Sequence, residues 1–242
     1  MKKLIAILTL TTLLFSNSFN LPSYETSIIS LSKDRAFIAD SPNIVVGSSA
    51  VVLHQPTGGF DGFIVARGEV VAKDGKMATL LLSPYEQLTQ KALPNINIKP
   101  SPTDRVLLNH LYNRVLLIAP NKKSYDSTID KFRATNFINS DLMAASLFIG
   151  RKPNPTKKEF QNACYENEAG AIFFVLDGES FLLDCHSFKI LKSFKTDKID
   201  EYQLPFYSRV KEIKTSIFNP KSHYIKDYNS YYRDIIGVKN DR

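Results

Sequence analysis

The sequence predicts an α+β fold: a mainly β N-terminal half built from hairpins, then two short helices, a β-hairpin and a C-terminal aromatic helix. β-branched runs broken by glycine turns fill residues 28–82, and capped helical patterns follow over residues 140–166. Six of the eleven tyrosines lie after residue 196. With 43% hydrophobic and 23% charged residues among 242, the composition excludes a disordered chain or a disulfide-dense scaffold.

The first 18 residues have the three-part layout of a secretory signal peptide. Lys2 and Lys3 precede an uncharged run, and small residues occupy the last and third-last positions before a cleavage point after Ser18. The alternative is a membrane-spanning helix, but polar Asn17 and Ser18 end the run before the ~20 apolar residues that a bilayer requires. We therefore expect an exported protein, and no later stretch is apolar enough to span a membrane as a helix.

The remaining chain has only a mild positive charge. Without Lys2 and Lys3 it keeps 29 basic and 24 acidic residues, a formal charge of +5. It carries no zinc-finger spacing and no aromatic-basic RNA-binding motif, and its four histidines are scattered without metal-ligand spacing. The common hydrolase and phosphate-loop motifs are also missing. We expect no metal, no cofactor and no nucleic-acid partner.

The N-terminal half is predicted to consist of short strands. The β-branched runs at residues 44–46 and 50–53 are separated by a glycine-serine stretch. Asp74-Gly75 stands between two further runs, and this pair is a strong hairpin signal because a type I′ turn requires positive φ at both central residues. An extended proline-rich connector over residues 94–102 leads to two more strands, at 106–108 and 115–118.

Helical patterns and a second hairpin follow. Ser140 is predicted to cap a helix that runs to residue 149 and is ended by the glycine after it. Thr156 and Glu159 have the spacing of a capping box, which opens a helix ending near residue 166. The strand runs on either side of Asp177-Gly178 predict the hairpin.

The C-terminal segment, residues 197–242, is basic and rich in tyrosine. Tyr224, Tyr228, Tyr231 and Ile235 have the spacing of one helical face. Such an aromatic stripe is typical of a packing face rather than of a ligand platform. We therefore expect this segment to pack on an α+β domain formed by residues 19–196.

Asp184-Cys185-His186 is the one cluster with catalytic residue types. On a strand, Asp184 and His186 would share a face and form an acid/base pair, whereas Cys185 would point away from His186. The chain has one other cysteine, Cys164, and an even number of cysteines in an oxidising compartment favours a disulfide. Two free buried thiols remain the alternative. An envelope enzyme that uses Asp184 and His186 is the least favoured function.

Several dispersed blocks, together with the two cysteines, carry a resemblance to a known family. The blocks are residues 104–114, 116–121, 141–145, 153–160 and 188–191. In their order along the chain, these blocks resemble the N-terminal domain family of PgbA-type plasminogen-binding proteins of epsilon-class proteobacteria. The resemblance implies a non-enzymatic protein in the periplasm or at the cell surface of a Gram-negative bacterium, with host plasminogen as its partner.

Kringle modules of plasminogen recognise a lysine cation together with a nearby carboxylate, so the resemblance directs attention to lysines. Asp197 and Asp200 supply carboxylates next to internal lysines, and the chain ends in Arg242. The alternative function is a periplasmic module that docks an envelope protein through its aromatic tail and has no affinity for plasminogen. The candidate partner-binding residues are Lys192, Lys195, Lys198, Lys239 and Arg242.

Overall fold

The structure is a computed structural model that describes residues 18–56, 62–85, 98–210 and 225–239, and it arranges their strands in two sheets. The predicted signal peptide (but for Ser18), residues 94–97 of the connector, Tyr224 and Arg242 lie outside these ranges. Within them, no helix combines the length and apolar character that crossing a bilayer requires. The first sheet contains β1 (Tyr24–Ser27), β2 (Ser30–Ser32), β3 (Arg35–Ala39), β4 (Ser49–His54), β5 (Phe63–Lys73), β6 (Met77–Pro84) and β7 (Arg105–Leu108).

The first sheet closes on itself, and we call it the rolled sheet. Its order is β1-β7-β4-β5-β6-β3-β2, with every neighbouring pair antiparallel. The edge strands β1 and β2 are separated only by Ile28 and Ile29. The N–H of Ile28 donates to the carbonyl of Asp104 at 2.9 Å, and that of Ile29 donates to Phe37 at 2.8 Å. These bonds join the two edges around a buried apolar core.

The second sheet, which we call the mixed sheet, has the order β12-β11-β10-β8-β9. β8, β9 and β10 are parallel, whereas β10, β11 and β12 form antiparallel pairs. Parallel neighbours need crossover connections: α1 joins β8 to β9, and α2 and α3 join β9 to β10. The elements are β8 (Arg114–Ile118), α1 (Lys122–Lys131), β9 (Asn136–Ile138), α2 (Ser140–Gly150), α3 (Lys157–Glu166), β10 (Ala171–Phe174), β11 (Glu179–Asp184), β12 (Ile190–Lys195) and α4 (Tyr228–Ile236).

The mixed sheet has a separate apolar core on each face. The core on one face includes side chains of α2, α3 and α4. The core on the other face includes α1 and Phe19, whose ring is 4% exposed and stacks on Phe132 with 4.3 Å between ring centroids. The α+β class with a mainly β first half is confirmed, and the parallel part of the mixed sheet is a feature that local patterns did not predict.

Both Asp-Gly pairs form hairpins, as predicted, but neither turn is type I′. Gly75 and Gly178 have φ of +90° and +75°, whereas the aspartates before them keep negative φ. The Asp74 carboxylate accepts the N–H groups of Lys76 and Met77 at 2.9 and 2.8 Å. This side-chain bonding stabilises a longer loop that needs only one left-handed residue.

Two local predictions were wrong in detail. Residues 44–46 form a turn instead of a strand, although Ile44 is buried in the rolled core. The cap of α2 is Asn139, whose side chain accepts the N–H of Asp141 at 2.9 Å, while the hydroxyl of Ser140 donates to Tyr207. A short β-branched run can therefore form a loop that buries only one of its residues, and a hydroxyl near a helix start can bond elsewhere in the chain.

The helix α3 is confirmed together with its capping box. Glu159 accepts the N–H of Thr156 at 3.0 Å, and the Thr156 hydroxyl contacts the same carboxylate. The helix carries Cys164, which is bonded to Cys185 with an S–S distance of 2.08 Å. The predicted disulfide is thus present, and it ties α3 to the turn that follows β11.

The aromatic helix α4 begins after Asp227 and ends at Gly237. Its most buried residues are Tyr228, Tyr232 and Ile236, whereas Tyr231 and Ile235 are partly buried against the same core. The Tyr232 hydroxyl donates to the carbonyl of Pro205 at 2.7 Å. The stripe is therefore part of the core, with its centre one residue further along the helix than the spacing suggested.

Replacing Phe19 with alanine is expected to lower the free energy of unfolding by about 3 kcal/mol. Removal of this buried ring would leave a cavity among Phe132, Phe173 and Phe194. Urea unfolding followed by circular dichroism measures this. Ile29→Ala is the control: its side chain is 55% exposed, so the expected change is within about 0.5 kcal/mol. Equal stabilities of the two variants would contradict the anchoring role of Phe19.

Glu159 is expected to make stability depend on acid pH. Burial would raise the pKa of this carboxyl, but hydrogen bonds from Lys152 and Thr156 outweigh burial and lower its pKa from 4.5 to about 2. The resulting stabilisation is present above pH 4.5 and is lost as the pH falls toward 2. Glu159→Gln should therefore cost about 1 kcal/mol at pH 7 and almost nothing near pH 2. If urea unfolding finds the same cost of Glu159→Gln at pH 7 and near pH 2, this role of Glu159 is contradicted.

Candidate functional site

A groove of about 900 Å³ lies between α1 and the chain that follows β12, and we call it the lysine groove. Five lysines line it, two from the end of β12 and beyond, and three from α1. Acidic side chains stand among them, and aromatic rings of the core beneath α1 form part of the lining. The charged lining residues are Lys122, Lys123, Asp126, Lys131, Lys195, Asp197, Lys198, Asp200 and Glu201.

Local hydrogen bonds fix the two sides of the lysine groove. Asn121 caps α1 by accepting the N–H of Ser124 at 2.8 Å, so the first turn presents its lysines to solvent. After β12, the N–H of Thr196 donates to Gly178 at 3.1 Å and that of Ile199 donates to Asp177 at 2.9 Å. The β10–β11 hairpin thereby holds the segment that carries the groove's other lysines.

The lysines of the groove differ in their partners. Lys122 pairs with Asp126 at 2.5 Å one helical turn away, and the hydrogen bond that the ammonium donates to this carboxylate raises the pKa of Lys122. Lys131 lies over the ring of Phe132, 5.6 Å from its centroid. Lys195 and Lys198 are exposed, and within the described ranges neither forms an ion pair. Lys123 of α1 is likewise exposed and forms no ion pair within the described ranges, so both sides of the groove offer cations to a partner.

The structure separates the predicted partner-binding lysines into two groups. Lys195 and Lys198 share the lysine groove. Lys192 lies outside its lining and donates to the carbonyl of Phe19 at 3.3 Å, while Lys239 follows α4, which packs on the opposite face of the mixed sheet. Arg242 lies outside the described residues. Sequence reasoning missed the α1 lysines because that helix is polar; an asparagine cap directly after Pro120 was the available signal.

The carboxyl ends of β8 and β10 are the place where an open α/β sheet usually binds a ligand. Here the chain after β12 covers them. The N–H of Gln203 donates to Pro120 at 2.6 Å, that of Tyr207 donates to Ala119 at 2.8 Å, and the Asn121 amide donates to Glu201 at 2.7 Å. The crevice is thus filled by the protein's own backbone.

The Asp184–His186 pair proposed from the sequence does not form. β11 ends at Asp184, so the alternation of a strand does not extend to His186. The Asp184 carboxylate is fully buried and accepts the backbone N–H of His186 at 2.8 Å, while the ring of His186 is exposed to a different cleft. Four further donor groups, from the three residues Ser49, Tyr112 and Ser187, donate to the carboxylate at 2.6–3.1 Å. These contacts give Asp184 a structural role.

Asp184 also affects the pKa of Tyr112, whose hydroxyl donates to it. Burial first, and the neighbouring Asp184 charge second, raise the pKa of Tyr112 well above 10, so its hydroxyl remains a donor.

The cleft that exposes His186 lies between the two sheets, has a volume of about 890 Å³ and includes the Cys164–Cys185 disulfide in its lining; we call it the intersheet cleft. Across the described part of the chain, no group of three or more metal-ligating side chains comes together.

Comparison with known proteins identifies the class of this fold. The family model described as "Plasminogen-binding protein pgbA N-terminal" matches residues 23–236. The chain therefore belongs to this family of N-terminal domains, which confirms the resemblance found in the dispersed sequence blocks.

Two curated relatives are similar over part of their length. Both are named plasminogen-binding protein PgbA, from Helicobacter pylori strains J99 and 26695, and each is 27% identical over 171 residues. The matched region is 69% of this chain but only 37% of each relative. The chain thus spans little more than a third of the curated relatives it matches.

Replacing Asp184 with asparagine is expected to lower the free energy of unfolding by about 3 kcal/mol. One carboxylate oxygen accepts from Ser49 and Tyr112 and the other from two backbone N–H groups, so an amide must turn its NH₂ toward donors on one side. Urea unfolding measures the loss. Asp130→Asn, which removes an exposed ion pair, is the control and should change stability by about 0.5 kcal/mol or less. A similar small effect at Asp184 would disprove its structural role.

Proposed function

We propose that this chain is an exported, non-enzymatic protein of the bacterial surface that binds host plasminogen through the lysine groove. The observation that carries the proposal is the clustering of exposed lysines and carboxylates around aromatic rings in a domain of this family. The relatives' name states plasminogen binding for them. A lysine-recognising module needs an ammonium, a carboxylate near it and an apolar stem between them.

Lys198 fits these requirements best among the candidate lysines. It is exposed, it is flanked by Asp197 and Asp200, and it forms no ion pair within the described ranges. Lys195, from the end of β12, lines the same groove. A kringle can therefore take up one ammonium while its own cationic side meets a neighbouring carboxylate.

The presence of a lysine at position 195 also has a structural explanation that does not involve a partner. β12 is an edge strand of the mixed sheet, and lysines on edge strands prevent pairing with other chains. Lys192 lies on the same strand but outside the groove. The two lysines therefore provide a matched comparison, since edge protection applies to both and groove recognition applies to one.

The test is binding of the purified chain to immobilised plasminogen with and without ε-aminocaproic acid. The proposal expects saturable binding that the lysine analogue abolishes, and at least about tenfold weaker binding by Lys195→Gln/Lys198→Gln, equivalent to about 1.4 kcal/mol. The matched control Lys192→Gln/Lys239→Gln keeps the same net charge change and should bind as well as the unmodified chain.

Three results would overturn the proposal. They are absent binding, binding that the analogue leaves unchanged but salt removes, and equal losses in the two double variants. The last two would indicate general electrostatic attraction by a basic surface. Absent binding would favour the periplasmic module with an envelope partner. Among the described tyrosines of the aromatic tail, Tyr202 is then the most accessible for docking, because it is 39% exposed whereas Tyr228 and Tyr232 are buried.

A further inference from the structure

The intersheet cleft gathers basic side chains from three separate elements. Arg67 comes from β5, His110 from the turn after β7, and His186 from the turn after β11. All three side chains line the same cleft, and the positive charge of Arg67 acts on both imidazoles. No described strand, helix or turn of the chain fills the volume of about 890 Å³ between them, which matches the size of ordinary small-molecule sites.

Apolar and aromatic side chains form part of the other walls of the cleft, beside the polar side chains of Ser49, Ser83, Gln161 and Asn162. Tyr85 contacts Arg67, with 5.3 Å between the guanidinium carbon and the ring centroid, and Tyr165 is 53% exposed. An occupant therefore meets basic groups at one place and rings or aliphatic groups around them. The apolar and aromatic lining residues are Ala50, Val51, Pro84, Tyr85, Leu111, Tyr165 and Ala169.

The backbone around the cleft is held in an unusual shape. Leu111 and Glu168 have left-handed φ of 62° and 51°, which costs energy for residues other than glycine. Gly170 allows this approach, because a Cβ there would lie only 2.4 Å from the carbonyl carbon of Leu111. The cleft wall is thus preformed by close packing between the turn after β7 and the chain before β10.

The charges around the imidazoles come from several elements. Burial first, and Arg67 second, lower the pKa of His110 and of His186; Asp184 opposes this at His186 and Lys157 adds to it. These surroundings therefore favour the neutral form of both imidazoles. Acidic groups are also present: Glu166 and Glu168 line the cleft, and both are exposed to solvent.

We propose that the intersheet cleft binds a ligand that carries a carboxylate on an apolar or aromatic body, with His110 and His186 donating to the carboxylate and Arg67 adding positive potential. The aromatic walls would cover the body of the ligand. This site is separate from the lysine groove: the lysine groove adjoins the core beneath α1, and the intersheet cleft is lined by α3 and the disulfide. It therefore does not depend on plasminogen binding.

The proposal implies that binding is coupled to proton uptake. A bound carboxylate favours the charged imidazoles, so affinity should rise as the pH falls below the ordinary histidine pKa of 6.5. The expected gain between pH 7.5 and 5.5 is about tenfold, the strengthening expected when neutral hydrogen bonds become charge-assisted. The solvent-exposed glutamates at the cleft should diminish this gain only slightly, because water and salt screen them.

The experiment titrates the full chain with phenylacetate and with neutral phenylacetamide, and follows histidine ring signals by NMR together with calorimetric heat. A second pair of probes, N-acetyl-Gly-Phe acid and its amide, tests whether the carboxylate belongs to a peptide end. The proposal expects saturable binding of at least one acid, at least about tenfold weaker binding of its amide, and stronger binding at pH 5.5. Binding of the peptide acid alone would assign the ligand to peptide termini, and binding of both acids would assign it to small acids.

The variants are His110→Gln and His186→Gln, singly and together, with His54→Gln as the matched control. His54 is bonded to Asp104 at 2.9 Å and lies outside the cleft. Each cleft variant should weaken binding of the acid about tenfold and reduce its pH dependence, while the control leaves both unchanged. The single variants keep the test valid if the double variant misfolds. Absent binding, equal binding of acid and amide, or an unchanged affinity in folded cleft variants would overturn the proposal.

Discussion

The Asp184 carboxylate is the contact on which the arrangement of the two sheets depends. It accepts from Ser49 at the start of β4, from Tyr112 in the turn between β7 and β8, and from the backbone that follows β11. A buried charge is costly unless its oxygens are fully hydrogen-bonded. Because the donors come from both sheets, these bonds can be made only in one relative orientation. Ser187 strengthens the same junction by donating to the carbonyl of Gly47 at 2.6 Å.

That junction explains where the intersheet cleft lies, whereas other contacts position the lysine groove. The intersheet cleft borders it, with Ser49 and Cys185 in its lining, so the shape of the cleft follows from the sheet orientation. The lysine groove depends on a different set of bonds, those between the β10–β11 hairpin and the chain after β12. The two sites are therefore structurally independent. A chain that spans about a third of its curated relatives thus contains two separate cavities.

Features encoded by a few adjacent residues were predicted well. The capping box of Thr156 and Glu159, the two Asp-Gly hairpins and the strand at residues 115–118 need only local chemistry to form. The helix α1 and the strand β12 were missed, because their sequences are rich in lysine and serine and have weak apolar periodicity. Tertiary packing on the aromatic core beneath them stabilises these elements. As a result, the sequence alone did not predict the side of the lysine groove that α1 forms.

The sequence by itself determined the fold class and the family, because hydrophobic patterning and dispersed sequence blocks require no knowledge of distance. The even number of cysteines favoured a disulfide, and the tertiary structure showed the bond between Cys164 and Cys185. Only the tertiary structure decided that Asp184 is a buried junction instead of an acid beside His186. It also decided that Lys195 and Lys198 join the lysines of α1, whereas Lys192 and Lys239 do not. The physical reason is that both outcomes depend on contacts between residues far apart in the chain, and the order of strands in the two sheets sets those contacts.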